Sequence, residues 1–208
     1  MDFLKRIKIL IFALLFFIGS NAFAQNFEPT LEAFSESYKQ EAEGKYTQAT
    51  ETIKKFYNED SYEINLRLGW LKYNAGMYKE SASYYRKAVK LMPYSIEAKL
   101  GLVLPVYAMG NLTEVINTYY DILKIDQMNY TANYRLGAIY YGRENYTKAY
   151  AYFEKIINMY PFDYDAMNMF GWTNFRLGKL REAKVLFQKA LLYNPVDESA
   201  KLGLEKIK

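Results

Sequence analysis

The sequence predicts an all-α fold, a solenoid of stacked helix–turn–helix units closed by a C-terminal capping helix. Three observations predict it. Between Gly69 and Pro195 the chain repeats itself every 34 residues. Within each copy, apolar residues return at i, i+4 and i+7, the spacing of one helix face. Glycines and prolines recur at fixed places, which marks short helices joined by tight turns.

Each copy follows in order. Tyr130–Asp163 and Tyr164–Asp197 superpose without a gap: Leu136-Gly137 falls on Phe170-Gly171, Tyr146 on Leu180, Ala149 on Ala183, Phe153 on Phe187, Ile156 on Ala190 and Pro161 on Pro195. Tyr62–Ser95 keeps the pattern with Leu68-Gly69, Gly76, Tyr78, Ser81, Tyr85, Ala88 and Pro93. The first copy, Thr30–Ser61, is two residues shorter, with Gly44, Tyr46, Ala49 and Ile53 in register, Ser37 where glycine is usual, and Pro29 suited to the start of its first helix. Ile96–Asn129 departs most. Val103 and Val115 replace the small pair at positions 8 and 20, Pro105 falls within its first helix, and Gln127 stands where the closing proline belongs. In three copies a position 8 glycine, Gly69, Gly137 or Gly171, faces a small residue at position 20, so the paired backbones approach closely. Each pair alone leaves apolar surface bare, so the copies must stack. After Pro195 only Glu198–Lys208 remains; Ala200, Leu204 and Ile207 form its apolar stripe, while Lys201, Glu205, Lys206 and Lys208 face water. The expected domain is 25–208, with repeats at 30–61, 62–95, 96–129, 130–163 and 164–197 and a capping helix at 198–208.

This pattern of small, large and proline positions resembles the tetratricopeptide repeat over almost all of the chain beyond residue 24. The resemblance implies a right-handed superhelix whose first helices line a concave groove, mainly through positions 2, 5, 9, 12 and 13. Carried over, those positions give a ligand-binding groove of Tyr38, Trp70, Tyr73, Asn74, Tyr107, Tyr134, Tyr141, Trp172, Phe175 and Arg176. Tyrosine is ordinary packing at positions 5 and 12 of the family. Trp70 and Trp172, the chain's two tryptophans, both stand at position 9, where the family more often has a polar residue. One subset of the family holds a peptide's terminal carboxylate with Lys and Asn at positions 5 and 9. Here those positions carry Leu66 and Trp70, Leu100 and Leu104, Tyr134 and Ala138, and Asn168 and Trp172, so that clamp is absent and the groove should prefer apolar or aromatic segments.

The amino terminus reads as an address. Lys5, Arg6 and Lys8 precede an apolar run from Ile9 to Ile18, followed by Ala22-Phe23-Ala24. A basic start, a short apolar centre and an A-x-A site describe a secretory signal peptide spanning 1–24. The run falls well short of the ~20 residues of a spanning helix, so no integral membrane segment is expected in the mature chain. An uncleaved anchor is the alternative. Loss of Met1–Ala24 removes three basic residues and one acidic one, which takes the net charge from +4 to +2. That balance gives no footprint for nucleic acid.

The chain has no histidine and no cysteine. This removes the His- and Cys-based nucleophile systems and the zinc sites built from those residues. Asp163 and Asp165 read as helix-capping charges, and the sequons at Asn111, Asn129 and Asn145 as turn chemistry. No catalytic residue, metal site or cofactor is expected. The sequence therefore points to a non-enzymatic protein-interaction scaffold or adaptor of the bacterial cell envelope, most simply periplasmic, with another protein or peptide as partner. The alternatives are a glycan- or peptidoglycan-binding module, and a subunit self-associating through second-helix tyrosines Tyr84, Tyr119, Tyr120, Tyr150 and Tyr152. An extracellular location is the other destination open to an exported chain.

Overall fold

The computed structural model describes residues 27–207; the expected signal peptide lies outside them. Among the described residues there are eleven helices and no strand. They fall into two compact units, and the chain passes from one to the other between Met109 and Gly110, inside the divergent third copy.

The first unit holds α1 (27–42), α2 (Tyr46–Lys54), α3 (Tyr62–Asn74), α4 (Tyr78–Leu91) and α5 (Ile96–Ala108). The second holds α6 (Leu112–Ile125), α7 (Tyr130–Gly142), α8 (Tyr146–Met159), α9 (Tyr164–Arg176), α10 (Leu180–Tyr193) and α11 (Glu198–Lys206). In each unit consecutive helices pack as antiparallel neighbours, and each new first helix also leans on the first helix before it, α5 on α3 and α11 on α9.

The turn within each pair has one recurring requirement. Position 15 adopts a left-handed conformation at Gly44, Gly76, Gly110 and Gly178, with φ between 74° and 77°, and Glu144 takes the same place at φ 58°. Glycine is free there, whereas a side chain strains. The turn between pairs is closed differently, by a capping side chain at position 34. Ser95, Asn129 and Asp163 accept from the backbone N–H three residues on at 3.0, 3.1 and 2.8 Å. Ser61 and Asp197 do the same. Asp163 is thus a cap, as its place in the sequence suggests. Asn111, Asn129 and Asn145, the three sequon asparagines, each cap a helix with the side-chain oxygen.

The caps are also rungs between repeats. The Tyr62 hydroxyl lies 2.8 Å from Ser95 Oγ, Tyr130 donates to both Asp163 oxygens at 3.1 and 3.0 Å, and Tyr164 donates to Asp197. Burial, then the bond to the Asp163 carboxylate, pushes the Tyr130 hydroxyl well above its ordinary pKa.

The position 8 glycines serve a partner other than the one expected. A Cβ on Gly69, Gly137 or Gly171 would meet the ring at position 24, namely Tyr85, Phe153 or Phe187, at 2.9, 2.9 and 2.7 Å. The position 20 residue does sit opposite, since Ser81 Oγ donates to the Gly69 carbonyl at 2.7 Å. The room, however, is taken by the aromatic ring. The same rings press on the following first helix, where a Cβ on Gly101 would lie 2.2 Å from Tyr85 and one on Gly203 2.4 Å from Phe187.

Of three further details two differ from expectation, and one, the course of α5 through Pro105, agrees with it. α1 is already helical at residue 27, so Pro29 sits inside its opening stretch; a missing N–H is tolerated in a first turn. α5 continues through Pro105 to Ala108. In α11 the fully buried pair is Ala200 and Gly203, with Leu204 and Ile207 half-buried and Leu202 exposed. α11 still covers α9 and α10, as a cap must. Positions 3 and 7, filled in α3 by Ile64 and Leu68 and in α7 by Ala132 and Leu136, are buried there, but α1 carries exposed Glu32 and Glu36.

Candidate ligand-binding face

In the first unit α1, α3 and α5 present Tyr38, Trp70, Tyr73, Asn74 and Tyr107. Three of these aromatics are open to solvent: Tyr38 at 55%, Trp70 at 38% and Tyr107 at 66% exposure. Burying such rings is what makes a binding face apolar. Tyr73 and Asn74 are half-buried; the Tyr73 ring lies 6.3 Å from Trp70 and 5.8 Å from Tyr78, and Asn74 Nδ2 donates to the Trp70 carbonyl at 2.9 Å.

Two residues absent from the expected site organise it. Arg67, at position 6 of α3, is buried; its Nε donates to Ser37 Oγ at 3.0 Å, its Nη1 pairs with Glu41, and its guanidinium lies 3.9 Å from the centre of the Tyr38 ring. Glu41 uses its second oxygen to accept from the Trp70 indole N–H. Arg67 therefore fixes Glu41, and Glu41 fixes Trp70. A buried cation needs such a partner, because desolvation otherwise costs several kcal/mol (order of magnitude). The signal in the sequence was Glu41 itself, an acid at position 12, where the later copies carry Tyr73, Tyr107, Tyr141 and Phe175.

The second unit presents Tyr134, Tyr141, Trp172, Phe175 and Arg176 on α7 and α9. None of its four aromatics is open; each is half-buried against a neighbour. Tyr134 meets the buried Phe153 edge-on at 5.9 Å, and Tyr141 meets Tyr146 at 5.4 Å. Trp172 is wedged among Phe187 at 5.1 Å, Phe175 at 5.6 Å and Ser199 of α11, whose Oγ accepts from its indole at 2.8 Å. Arg176 is exposed, and its hydrogen bond with the Tyr141 hydroxyl raises its already high pKa. The two tryptophans, equivalent in the repeat, thus have different surroundings: Trp70 offers a face, while Trp172 packs.

The second-helix tyrosines are also occupied. Tyr119 is buried and Tyr84, Tyr120, Tyr150 and Tyr152 are half-buried. Tyr120 bonds the Tyr140 hydroxyl, Tyr140 stacks on Tyr152 at 5.9 Å, and Lys179 lies 3.8 Å from the centre of the Tyr150 ring. Among the described residues no group of three acidic ligands gathers as a metal site, and no helix is long and apolar enough to cross a membrane.

Comparison with known proteins agrees with this architecture. Models of the tetratricopeptide repeat match residues 62–94, 131–163 and 164–197. The chain is similar to the human protein O-mannosyl-transferase TMTC1, 30% identical over 156 residues, covering 70% of this chain. It spans only 17% of that curated relative's length. Among solved structures, a tetratricopeptide repeat protein from Parabacteroides merdae matches with a TM-score of 0.73 and 20% identity, over 86% of this chain and 72% of that one. MamA matches at 0.68 and 24% identity, over 79% and 91% of the two chains. MamA from Desulfovibrio magneticus gives 0.68 at 17% identity, over 82% and 97%. These likenesses speak for the fold. The chain carries tetratricopeptide repeats, and repeats of this kind point to a scaffold for protein–protein interaction.

Proposed function

We propose that this chain is a non-enzymatic adaptor of the bacterial cell envelope, exported, processed after Ala24, and binding an apolar or aromatic segment of a partner protein. Binding belongs to the first-helix face of the first unit. The observation that carries this reading is the exposure of Tyr38, Trp70 and Tyr107 on one set of helices, in contrast with the self-engaged aromatics of the second unit. Aromatic anchors held rigid before binding lose little entropy on binding, and Trp and Tyr dominate interface energetics for that reason. The transferase similarity carries no chemistry over to this chain, which spans only 17% of that relative's length.

A photo-crosslinking side chain placed in living cells at Tyr107, and separately at Leu192, tests the reading. Leu192 is exposed on α10, a second helix of the second unit. Capture of the same protein from position 107 and not from 192, abolished by Trp70→Ala, is the expected result. Equal capture from both positions, or capture of cell-wall fragments or of the chain itself alone, contradicts it.

A further inference from the structure

Resting on the reading above, we infer that the first unit selects a basic partner segment, one whose apolar side chains are interspersed with lysine or arginine. Three observations lead there. The first is charge. On α1, α3 and α5 the groove positions 2, 5, 9, 12 and 13 carry three charged residues, Glu41, Glu63 and Glu97, and no base. Glu41 is spent on Arg67, but Glu63 and Glu97 are exposed in the first turns of α3 and α5. Their neighbours are hydroxyls: Glu63 accepts from Ser61 at 3.0 Å and Glu97 from Tyr62 at 3.1 Å. Among the described residues neither forms an ion pair with a cation.

The second observation is the state of the Trp70 ring. Its indole N–H donates to the Glu41 carboxylate. Donation to an anion raises the electron density of the indole, and tryptophan is already the best aromatic acceptor of a cation. Trp172 differs again, because its N–H donates to a neutral serine hydroxyl and Phe187 and Phe175 hold their rings tilted against it.

The third is register. Glu63, Leu66, Trp70 and Tyr73 stand at i, i+3, i+7 and i+10, on one face of α3. Carboxylate and indole are thus separated by about two helical turns, roughly 10 Å. A partner in the polyproline II conformation rises ~3.1 Å per residue with three residues per turn, so basic side chains three apart share one face and reach Glu63 and Trp70 together, with apolar side chains between them.

The test uses the chain in the form cells produce, carrying Trp172→Phe so that Trp70 is the sole tryptophan reporter. Three synthetic twelve-residue peptides share one set of leucine and phenylalanine positions and differ at every third residue, which is Lys, Ser or Glu. Titrated at low salt, the Lys peptide is expected to change Trp70 fluorescence and to bind at least about tenfold tighter than the Ser peptide. The Glu peptide is expected to bind more weakly than both. In the E63Q/E97Q double variant, which keeps both hydrogen-bond acceptors, the Lys advantage should fall to a few-fold while Ser-peptide binding holds. Equal binding of the Lys and Ser peptides overturns the basic preference and leaves the apolar face standing. A Lys advantage that survives E63Q/E97Q, or that comes without any change at Trp70, also overturns it. Binding of none of the three overturns both this inference and the face on which it rests.

Discussion

Trp70 and Trp172 occupy the same register position, and their fates diverge through single neighbours. Ser199 and Phe187 take up Trp172; Glu41 takes the N–H of Trp70, whose ring meets Tyr73 and stays 38% exposed. Trp172→Ala is therefore expected to cost about 3 kcal/mol of folding stability, as truncation of a packed aromatic does, measurable by denaturant melts. A second residue to test is Glu144, the one non-glycine in the left-handed turn position. Glu144→Gly should relieve strain and stabilise by about 1 kcal/mol, less the backbone entropy glycine adds to the unfolded chain. A third is Glu80, whose carboxylate bonds the buried Lys72 amine at 2.7 Å. That bond holds the Glu80 pKa below its ordinary value. The stabilisation is thus present above the normal carboxylate range and lost as pH falls through it. Glu80 is largely exposed, so Glu80→Gln should cost only about 1 kcal/mol at pH 7. The gap from the parent chain should close below about pH 4.

At the scale of the element, the rule is an aromatic ring held between glycines. Tyr85 lies against Gly69 and Gly101, and Phe187 against Gly171 and Gly203. The position 8 glycine was legible from its recurrence. Its ring partner at position 24 was not, because periodicity gives the face of a helix but not the depth to which a side chain reaches across it. Gly101→Ala should lower stability by about 1–2 kcal/mol despite alanine's better helix propensity, since its methyl would meet the Tyr85 ring. The capping helix obeys the same logic. Removing Glu198–Lys208 strips Gly203 from Phe187 and bares the end of α9 and α10, so the melting temperature should fall and aggregation rise. An unchanged melt would mean that α11 contributes no cover.

For the whole molecule, the repeat count, the helix pairs and the caps were legible because each depends on spacing along one chain. Every expected groove residue of the first unit lies on α1, α3 or α5, and every one of the second on α7 or α9. What spacing could not supply was openness. Tyr134, Tyr141 and Trp172 look like groove residues in register but are used by Phe153, Tyr146 and Phe187. Arg67 was missed because a charge at an inter-repeat position reads as solvated until Glu41 and Ser37 are brought beside it. The proposed export makes a further expectation: amino-terminal sequencing of the protein recovered outside the cytoplasm should begin at Gln25, and an intact Met1 would replace secretion with anchoring. Partner binding turns on Trp70 as an open anchor. The direct measurement is the affinity of Trp70→Ala for the protein captured from position 107, read beside its melt. The expected result is at least about tenfold weaker binding with a melting temperature close to the parent's; unchanged affinity with a melt lowered as far as that of Trp172→Ala would contradict it.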